Sequence, residues 1–500
     1  MSIKTEAIKL FAAHTRRSID RWRKTAVEDQ LHIMNQLVAK AKYTRFGQDH
    51  DFSSIRTYED FKNQVPIRDY EAIRPYINNI LDGEKNVLWP GRPRYFAKTS
   101  GTTSGVKYIP LTDDSMPNHI VTARNAMMNY IDLAKKADIF KGKVIFLSGS
   151  PELEIKSGIP TGRLSGIVNH EIPSWVKTNQ LPSYSTNIIE DWEEKLEKIV
   201  EETLHQDMRL ISGIPPWVQM YYERILEKSG KNNIREVFPN YSLFMYGGVN
   251  FQPYRATLEN LTGGPVDSIE TFPASEGFIA FQDNLDSSGL LLNTRSGIFF
   301  EFIPVEEIGN KNPARYCLSE VETGKDYALI INNNAGLWGY SIGDCVRFVT
   351  VDPYRLIVSG RVSHYISAFG EHVIGKEVEE ALLQTISGTS IKVVEFTVAP
   401  QVNPPQGGQP YHEWFIEFDQ VPERVEDLED QLDAQMCRQN IYYEDLIRGN
   451  ILRKIKITPL QKDAFRQYMK SLGKLGGQNK VPRLANDRKI ADILTDFRLD

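Results

Sequence analysis

The sequence predicts an α/β protein: a large N-terminal domain of layered α/β sheets plus a small β-barrel, followed by a smaller α+β C-terminal domain. Three observations carry that reading. Helix and strand patterns alternate through the middle of the chain, closely spaced strand patterns follow from about residue 288, and a second mixed set closes the sequence.

The first hundred residues read mainly as helix. In "AVEDQLHIMNQLVAKAKYT" apolar residues recur at spacings of three and four, which places them on one helical face. "TYEDFKNQV" opens with Thr57, whose hydroxyl can accept from a first-turn N–H. The stretch "FAKTSGTTSGVKYIP" is followed by "TDDSMPNHIVTARNAMMNYIDLAKKA", another long helical pattern, so strand, loop and helix are expected in that order. Next, the helix "DWEEKLEKIVEETLHQ" alternates with the short apolar strands "KVIFLSG", "SLFMYGG" and "SIETFPAS", as a layered sheet requires. "GLLLNTRSGIFFEFIPV", "YALIINNNAG", "CVRFVTV" and "RLIVSGR" then read as a small antiparallel barrel or meander.

Beyond "SGRVSHYISAFGEHV" come the strands "IKVVEFTVAP", "YHEWFIEFD" and "ILRKIKITP", with helices near "RVEDLEDQLDAQMCRQ" and "DAFRQYMKSLG". This unit of roughly 130 residues has the size of a domain. The boundary falls near 361 to 365, giving domains 1–362 and 363–500.

With 41% apolar and 25% charged residues, the 500-residue chain has the composition of a soluble globular protein. Lys and Arg total 59 against 65 Asp and Glu, a net charge of −6, so no global attraction to nucleic acid or to an anionic membrane is expected. Any anion site must be local. Cys317, Cys345 and Cys437 are too few and too scattered for a disulfide framework or a zinc cluster, which fits a reducing cytoplasm. The N-terminal "MSIKTEAIKLFAAHTRRSIDRWRK" lacks the apolar core of a signal peptide, and its basic end reads as the solvated face of an amphipathic helix. No run reaches the ~18 apolar residues of a membrane span. A monomer is expected.

In "FAKTSGTTSGVKYIP", Thr99, Ser100, Thr102 and Thr103 are interleaved with Gly101 and Gly105, and Lys107 follows. Three residues separate the glycines and Val106 precedes the lysine, so this is not the P-loop of an NTPase. Glycines let backbone N–H groups approach a phosphate, and hydroxyls add donors. The residues alone equally suit an ordinary surface turn.

Further segments follow in a fixed order: "YGGVNFQPY", "TFPASEG", "GLWGYSIGDCVRF", "SGRVSHYISAFGEHVIGKEVEEAL" and "GGQNKVPRLANDR". This order resembles the adenylate-forming superfamily of acyl and aryl ligases. "GGVNFQPY", "ASEG", "AGLWGYSIGD" and "GGQNKVPRLANDR" are similar to the Gretchen Hagen family of acyl-acid amido synthetases, bacterial type, over essentially the whole chain.

The resemblance implies a set of roles. Ser100, Gly101, Thr102, Thr103, Gly105 and Lys107 match the loop that holds the ATP phosphates. Gly247, Gly248 and Val249 match the segment lining the adenine plane; Tyr246 and Phe251 would stack on the base or fill the core. Phe272, Ser275 and Glu276 fall in the segment facing the α-phosphate, with Glu276 as the Mg²⁺ ligand, although Phe272 and Pro273 depart from the usual tyrosine and small residue. Tyr340 precedes Asp344, which matches the acceptor of both ribose hydroxyls, and Arg361 also approaches the ribose and phosphate. Lys480 matches the catalytic lysine of a mobile C-terminal domain. Met116, His119, Thr122 and Trp217 are candidates for the acyl pocket, a role that core packing rivals.

The implied reaction joins a carboxylic acid to an amino acid in two steps, through an acyl-adenylate, with ATP and Mg²⁺. A CoA ligase remains the first alternative, weakened by Ser363 and Ser367 at positions where the CoA ligases carry a hinge aspartate and a lysine. An inactive nucleotide-binding protein is the second.

Overall fold

A computed structural model of the chain describes residues 3–100, 106–172, 177–189, 191–248, 251–285, 289–308, 310, 312–362, 365–366, 373–448, 452–472, 481–485 and 487–499. Thr57 caps the helix Tyr58–Gln64 as its sequence predicts: the hydroxyl accepts from the Asp60 N–H at 3.1 Å, and the Asp60 carboxylate accepts from the Thr57 N–H at 2.9 Å. The helix Ala26–Ala41 buries Ile33, Met34, Leu37, Val38 and Ala41, the stripe its periodicity foretold. The same face carries buried Gln30, whose side chain donates to the carbonyls of Thr294 and Ile298 and accepts from the Phe300 N–H, fastening the helix to the sheet behind it. The long helix after the Gly/Ser/Thr loop spans Met116–Ala134.

In chain order the strands are β1 (Tyr95–Ser100), β2 (Val106–Leu111), β3 (Lys143–Phe146), β4 (Glu154–Lys156), β5 (Ile159–Gly162), β6 (Gln180–Leu181), β7 (Met208–Ser212), β8 (Leu243–Gly247), β9 (Asp267–Ala274), β10 (Gly277–Phe281), β11 (Leu290–Leu292), β12 (Ile298–Pro304), β13 (Asp326–Asn333), β14 (Tyr340–Val351), β15 (Tyr354–Arg361), β16 (Tyr365–Ile366), β17 (Val373–Ile374), β18 (Val393–Gln401), β19 (Tyr411–Phe418) and β20 (Lys456–Leu460). An 11-stranded sheet runs in the order β12-β13-β14-β15-β11-β10-β9-β8-β7-β3-β6. Its β3, β7, β8 and β9 are parallel neighbours, and from β10 onward the pairings given by register are antiparallel. The strands expected to form a small antiparallel barrel or meander are hydrogen-bonded into the main sheet in the order β12-β13-β14-β15. The join is made by β11, whose Leu291 pairs with Phe281 on one side and Arg355 on the other. A four-stranded sheet, β2-β1-β5-β4, is distinct from this one.

The chain divides into two compact units, Met1–Ile342 with Arg347–Ile357, and Gly343–Val346 with Val358–Asp500. In the second unit β18, β19 and β20 form a sheet in that order, and Val398, Trp414, Ile416, Leu432 and Tyr443 are fully buried around it. Arg483 fastens its C-terminal segment by pairing with Glu379 at 3.1 Å and with Glu395.

Within the first unit, "AGLWGY" is an anchor. Trp338 is fully buried, stacked on Phe46 at 6.0 Å and edge-on to Phe52 at 4.8 Å, and its indole N–H donates to the Leu88 carbonyl at 3.1 Å. Both flanking glycines are required. Gly336 has φ +90° and a Cβ there would lie 2.7 Å from Leu88; at Gly339 (φ +56°) it would lie 2.3 Å from the Pro66 carbonyl oxygen. Trp338→Ala would empty the centre of this cluster, and urea denaturation should show a loss of about 3–5 kcal/mol.

Candidate active site

Three consecutive asparagines at the end of β13 connect the segments that carry the motifs. Asn332 donates to the Glu301 carboxylate at 2.9 Å and accepts from the Gly339 N–H at 2.6 Å. Asn333 donates to the Glu276 carbonyl at 2.8 Å and accepts from the N–H groups of Ala335 and Leu337, each at 3.0 Å. Asn334 donates to the Asp114 carbonyl at 2.7 Å, and the Asn334 carbonyl accepts from the Thr112 hydroxyl at 2.6 Å. A run of small amides saturates a turn that apolar residues would leave unbonded. The sequence reading missed these residues, and "NNN" directly before "AGLWGY" was the available signal.

The first of these bonds reaches a fully buried charge. Glu301 pairs with Arg315 at 2.7 Å and also accepts from the Tyr58 hydroxyl at 3.0 Å, so donors surround both carboxylate oxygens. Removing one partner of such a pair costs several kcal/mol, because the other charge is left buried alone.

The second bond fixes Glu276. Register places Gly277 opposite Ala274, so Ser275 and Glu276 are the two-residue turn between β9 and β10. Asn333 holds that turn at the Glu276 carbonyl, while the Asn118 carboxamide oxygen on helix Met116–Ala134 accepts from the Phe278 N–H at 2.6 Å. Beside the turn, Gly247 ends β8, and a Cβ on it would lie 2.4 Å from the Thr271 carbonyl oxygen of β9. Gly248 follows with φ +83°. The structure thus brings Gly247 and Gly248 to the strand end next to the one carrying Ser275 and Glu276. In sheets with parallel strands, ligands bind outside such carboxyl ends.

Other candidates are placed differently. Tyr246 and Phe251 are buried with ring centroids 4.5 Å apart and Phe244 against both, so these rings serve the core instead of lying open to a base. Phe272 is buried in β9 opposite Ala280. Glu270, also missed, lies opposite Tyr246 in a strand otherwise apolar around it, and burial pushes its carboxyl up to about 7.

The Gly/Ser/Thr loop connects two antiparallel strands, Ser100 being opposite Val106 and Thr99 opposite Lys107, so it is the tip of a hairpin and not a strand-to-helix turn. The reason is local: "VKYIPL" alternates, with Ile109 and Leu111 buried, and forms β2 before the helix begins. Gly101, Thr102, Thr103 and Gly105 lie outside the described residues, as do Val249 and Lys480. Lys107 has its ammonium 5.6 Å from the Tyr70 ring centroid.

Met116, His119 and Thr122 are all buried on one helix. Thr122 accepts from the Asn293 carboxamide at 2.7 Å, whereas His119 Nδ1 is buried without a partner. Trp217 is on another helix, Pro215–Ser229, with its ring 5.0 Å from Trp192. Tyr340 begins β14, buried and bridged to Arg68. Asp344 and Arg361 belong to the second unit, where the Gly343 carbonyl accepts from the Val362 N–H at 2.7 Å.

Solved structures share this fold. An acyl acid amido synthetase superposes with a TM-score of 0.78 at 16% identity, covering 97% of this chain and 96% of that one. A 2-hydroxyisobutyryl-CoA ligase in its postadenylation state gives 0.60 at 11% identity, over 93% and 90%. The fold is that of the adenylate-forming ligases. The sequence matches the GH3 family N-terminal domain over residues 15–183 and 162–266, the central domain over 291–361 and the C-terminal domain over 376–489. The chain belongs to the GH3 family. A jasmonoyl-L-amino acid synthetase of Oryza sativa subsp. japonica is 24% identical over 94% of each chain, and an indole-3-acetic acid-amido synthetase of Arabidopsis thaliana is 21% identical over 93% of this chain and 90% of the other.

Two outcomes test this geometry. Asn333→Ala strands two buried N–H groups, so denaturant unfolding should show a loss of on the order of 2–4 kcal/mol; Asn333→Asp keeps both acceptor bonds and should lose less. Burial brings the His119 imidazole down from 6.5 to about 4, so the folded protein holds it neutral. A depressed histidine contributes its stability above pH 6.5 and loses it as pH falls through about 4, so His119→Phe should flatten the decline in melting temperature between those values.

Proposed function

We propose that the chain is an ATP-dependent ligase that activates a carboxylic acid as its acyl-adenylate and passes the acyl group to the amine of an amino acid. The observation carrying this reading is family membership over nearly the whole chain, with relatives spanning it end to end that are acid–amino acid amido synthetases. The carboxylate attacks the α-phosphorus of ATP, the bond to the β-phosphate breaks, and pyrophosphate leaves. The amine then attacks the acyl carbon, AMP departs with the bonding electrons, and the ammonium-like nitrogen gives up a proton.

The residues assigned to these steps are Glu276 and Lys480, with Ser100, Gly101, Thr102, Thr103, Gly105 and Lys107 toward the phosphates, Gly247, Gly248 and Val249 toward the base, and Asp344 and Arg361 toward the ribose. Among the described residues no group of three or more His, Cys, Asp or Glu is placed to hold a metal. That suits Mg²⁺, which binds through one or two carboxylates plus substrate phosphates and needs no all-protein cage. Bound there, it would neutralise phosphate charge, with Glu276 in its fixed turn as the protein ligand. The proposed domains are 1–362 and 363–500, the second moving to bring Lys480 to the reaction and withdraw it. The chain acts as a cytoplasmic monomer in this reading; among the described residues no helix is long and apolar enough to cross a membrane.

The test is pyrophosphate and AMP release from MgATP across aryl, indolyl and fatty acids, with pooled amino acids or CoA as acceptor. Acid-dependent release that falls by about 10²–10³ in Lys480→Ala and in Glu276→Ala, together with an amide product by mass spectrometry, is the expected result. A thioester product in place of the amide would transfer the reading to a CoA ligase, and ATP binding without release under any acid would sink the catalytic reading.

A further inference from the structure

A second cluster of donors lies along the same carboxyl edge, at the end of β3. The loop 147–151 leaves β3 beside β7: the Leu147 N–H donates to the Ser212 carbonyl at 2.8 Å, and the next residue of that strand end, Gly213, donates to the Met245 carbonyl of β8. Lys195, only 4% exposed, donates to the carbonyls of Ser148 at 3.1 Å and Asn187 at 2.7 Å. An ammonium has three N–H bonds, so one is left.

Arg163 faces the same loop. A Cβ on Gly149 would lie 2.7 Å from the Arg163 Cδ and 3.6 Å from two of its guanidinium nitrogens. Arg163 is also the residue preceding the helix Leu164–Glu171, whose first turn has no side-chain cap and approaches the loop closely at Gly166, where a Cβ would be 2.5 Å from the Ser150 carbonyl oxygen. Burial, with the Arg163 charge adding to it, brings the Lys195 ammonium down to about 8. No carboxylate among the described residues pairs with either cation.

Two more donors are unused. Trp192, 3% exposed and three residues before Lys195 on one helical face, has its indole N–H buried without a partner, and so is the Ser165 hydroxyl in the uncapped turn. The set consists of two cations, an indole N–H, a hydroxyl and a bare helix start. Among the described residues it lacks an acceptor that carries negative charge. Arg163 borders the set from an exposed position, whereas the Lys195 ammonium and the Trp192 indole N–H are buried, and a buried donor is costly unless an acceptor is supplied to it.

We propose that this recess binds a second carboxylate, at the far end of the acid substrate, so that the acids preferred are long dicarboxylates. The inference rests on the functional reading above, which puts the reacting carboxyl near Glu276. β3 stands three strands from β9, and at roughly 4.8 Å per strand the recess is about 14 Å from that turn. An amino acid acceptor is too short to reach it while its amine is at the acyl carbon; an extended diacid is long enough.

The experiment measures pyrophosphate release with decanedioate and dodecanedioate against decanoate and dodecanoate, and in parallel the binding of the same four acids by calorimetry. Wild type should favour the diacid over the monoacid of equal length by about tenfold, some 1.4 kcal/mol. Arg163→Met, at an exposed position that leaves the Lys195 bonds in place, should reduce that ratio severalfold, and Lys195→Met should do so as well where it folds. A ratio near one in the wild type, or one that Arg163→Met leaves unmoved, overturns the proposal. Monoacid turnover without diacid preference would defeat the recess and leave the ligase intact; calorimetric preference for the diacid without turnover of any acid would support the recess and defeat the ligase.

Discussion

The turn formed by Asn332, Asn333 and Asn334 is the constraint on which the rest of the first unit depends. Each side chain reaches a different part of the molecule: Asn332 the buried Glu301 carboxylate, Asn333 the Glu276 carbonyl, and Asn334 the segment that opens helix Met116–Ala134. A buried polar network rigidifies when every member is satisfied and is expensive when one is not. The same turn leads into Trp338, so a fixed hydrogen-bond pattern and a large aromatic anchor act on consecutive residues. Glu276 inherits its position from both.

That inheritance matters because the proposed chemistry tolerates little displacement. A carboxylate that serves a phosphate-bound cation must be held before the substrate arrives, since preorganised groups pay no reorganisation at the moment of reaction. A two-residue turn anchored by Asn333 and Asn118 supplies this without a bulky surrounding shell. Gly247 complements it by letting β8 and β9 approach to the backbone contact limit. Charge is managed differently at two places: Glu301 is deeply buried and paired with Arg315, whereas Lys195 at the end of β3 is buried against two carbonyls with no carboxylate partner among the described residues.

Much of the architecture was legible in the sequence because it is local. The Thr57 cap and the stripe of Ala26–Ala41 follow from helical geometry and its period of 3.6, which any neighbour must respect. The hairpin at the Gly/Ser/Thr loop was misread because "VKYIPL" is short and directly precedes a strong helix. Whether the later strands stand apart or continue the main sheet was not legible, because strand periodicity says nothing about which strand is next in the sheet, and β15 pairs with a strand more than sixty residues earlier. For the site, ordered motifs singled out Glu276 and the glycines at 247 and 248, which the fold brings to neighbouring strand ends. They left open whether Tyr246 and Phe251 stack on a base or fill the core, and gave no hint that Asn333 holds the turn.

The sequence by itself determined the family, the helical N-terminal region, the mixed C-terminal unit and the residue types available for phosphate and cation contacts. These are properties of order and period, which are written along the chain. Tertiary structure decided which strands neighbour one another, which aromatic faces are consumed by packing, and which polar groups are satisfied from a distance. Those depend on contacts across 57 residues in the case of Asn333 and Glu276, and in the case of Lys195 on carbonyls of two separate segments. Pairings of that range are fixed only when burial makes the alternatives costly, and burial is a property of the folded molecule.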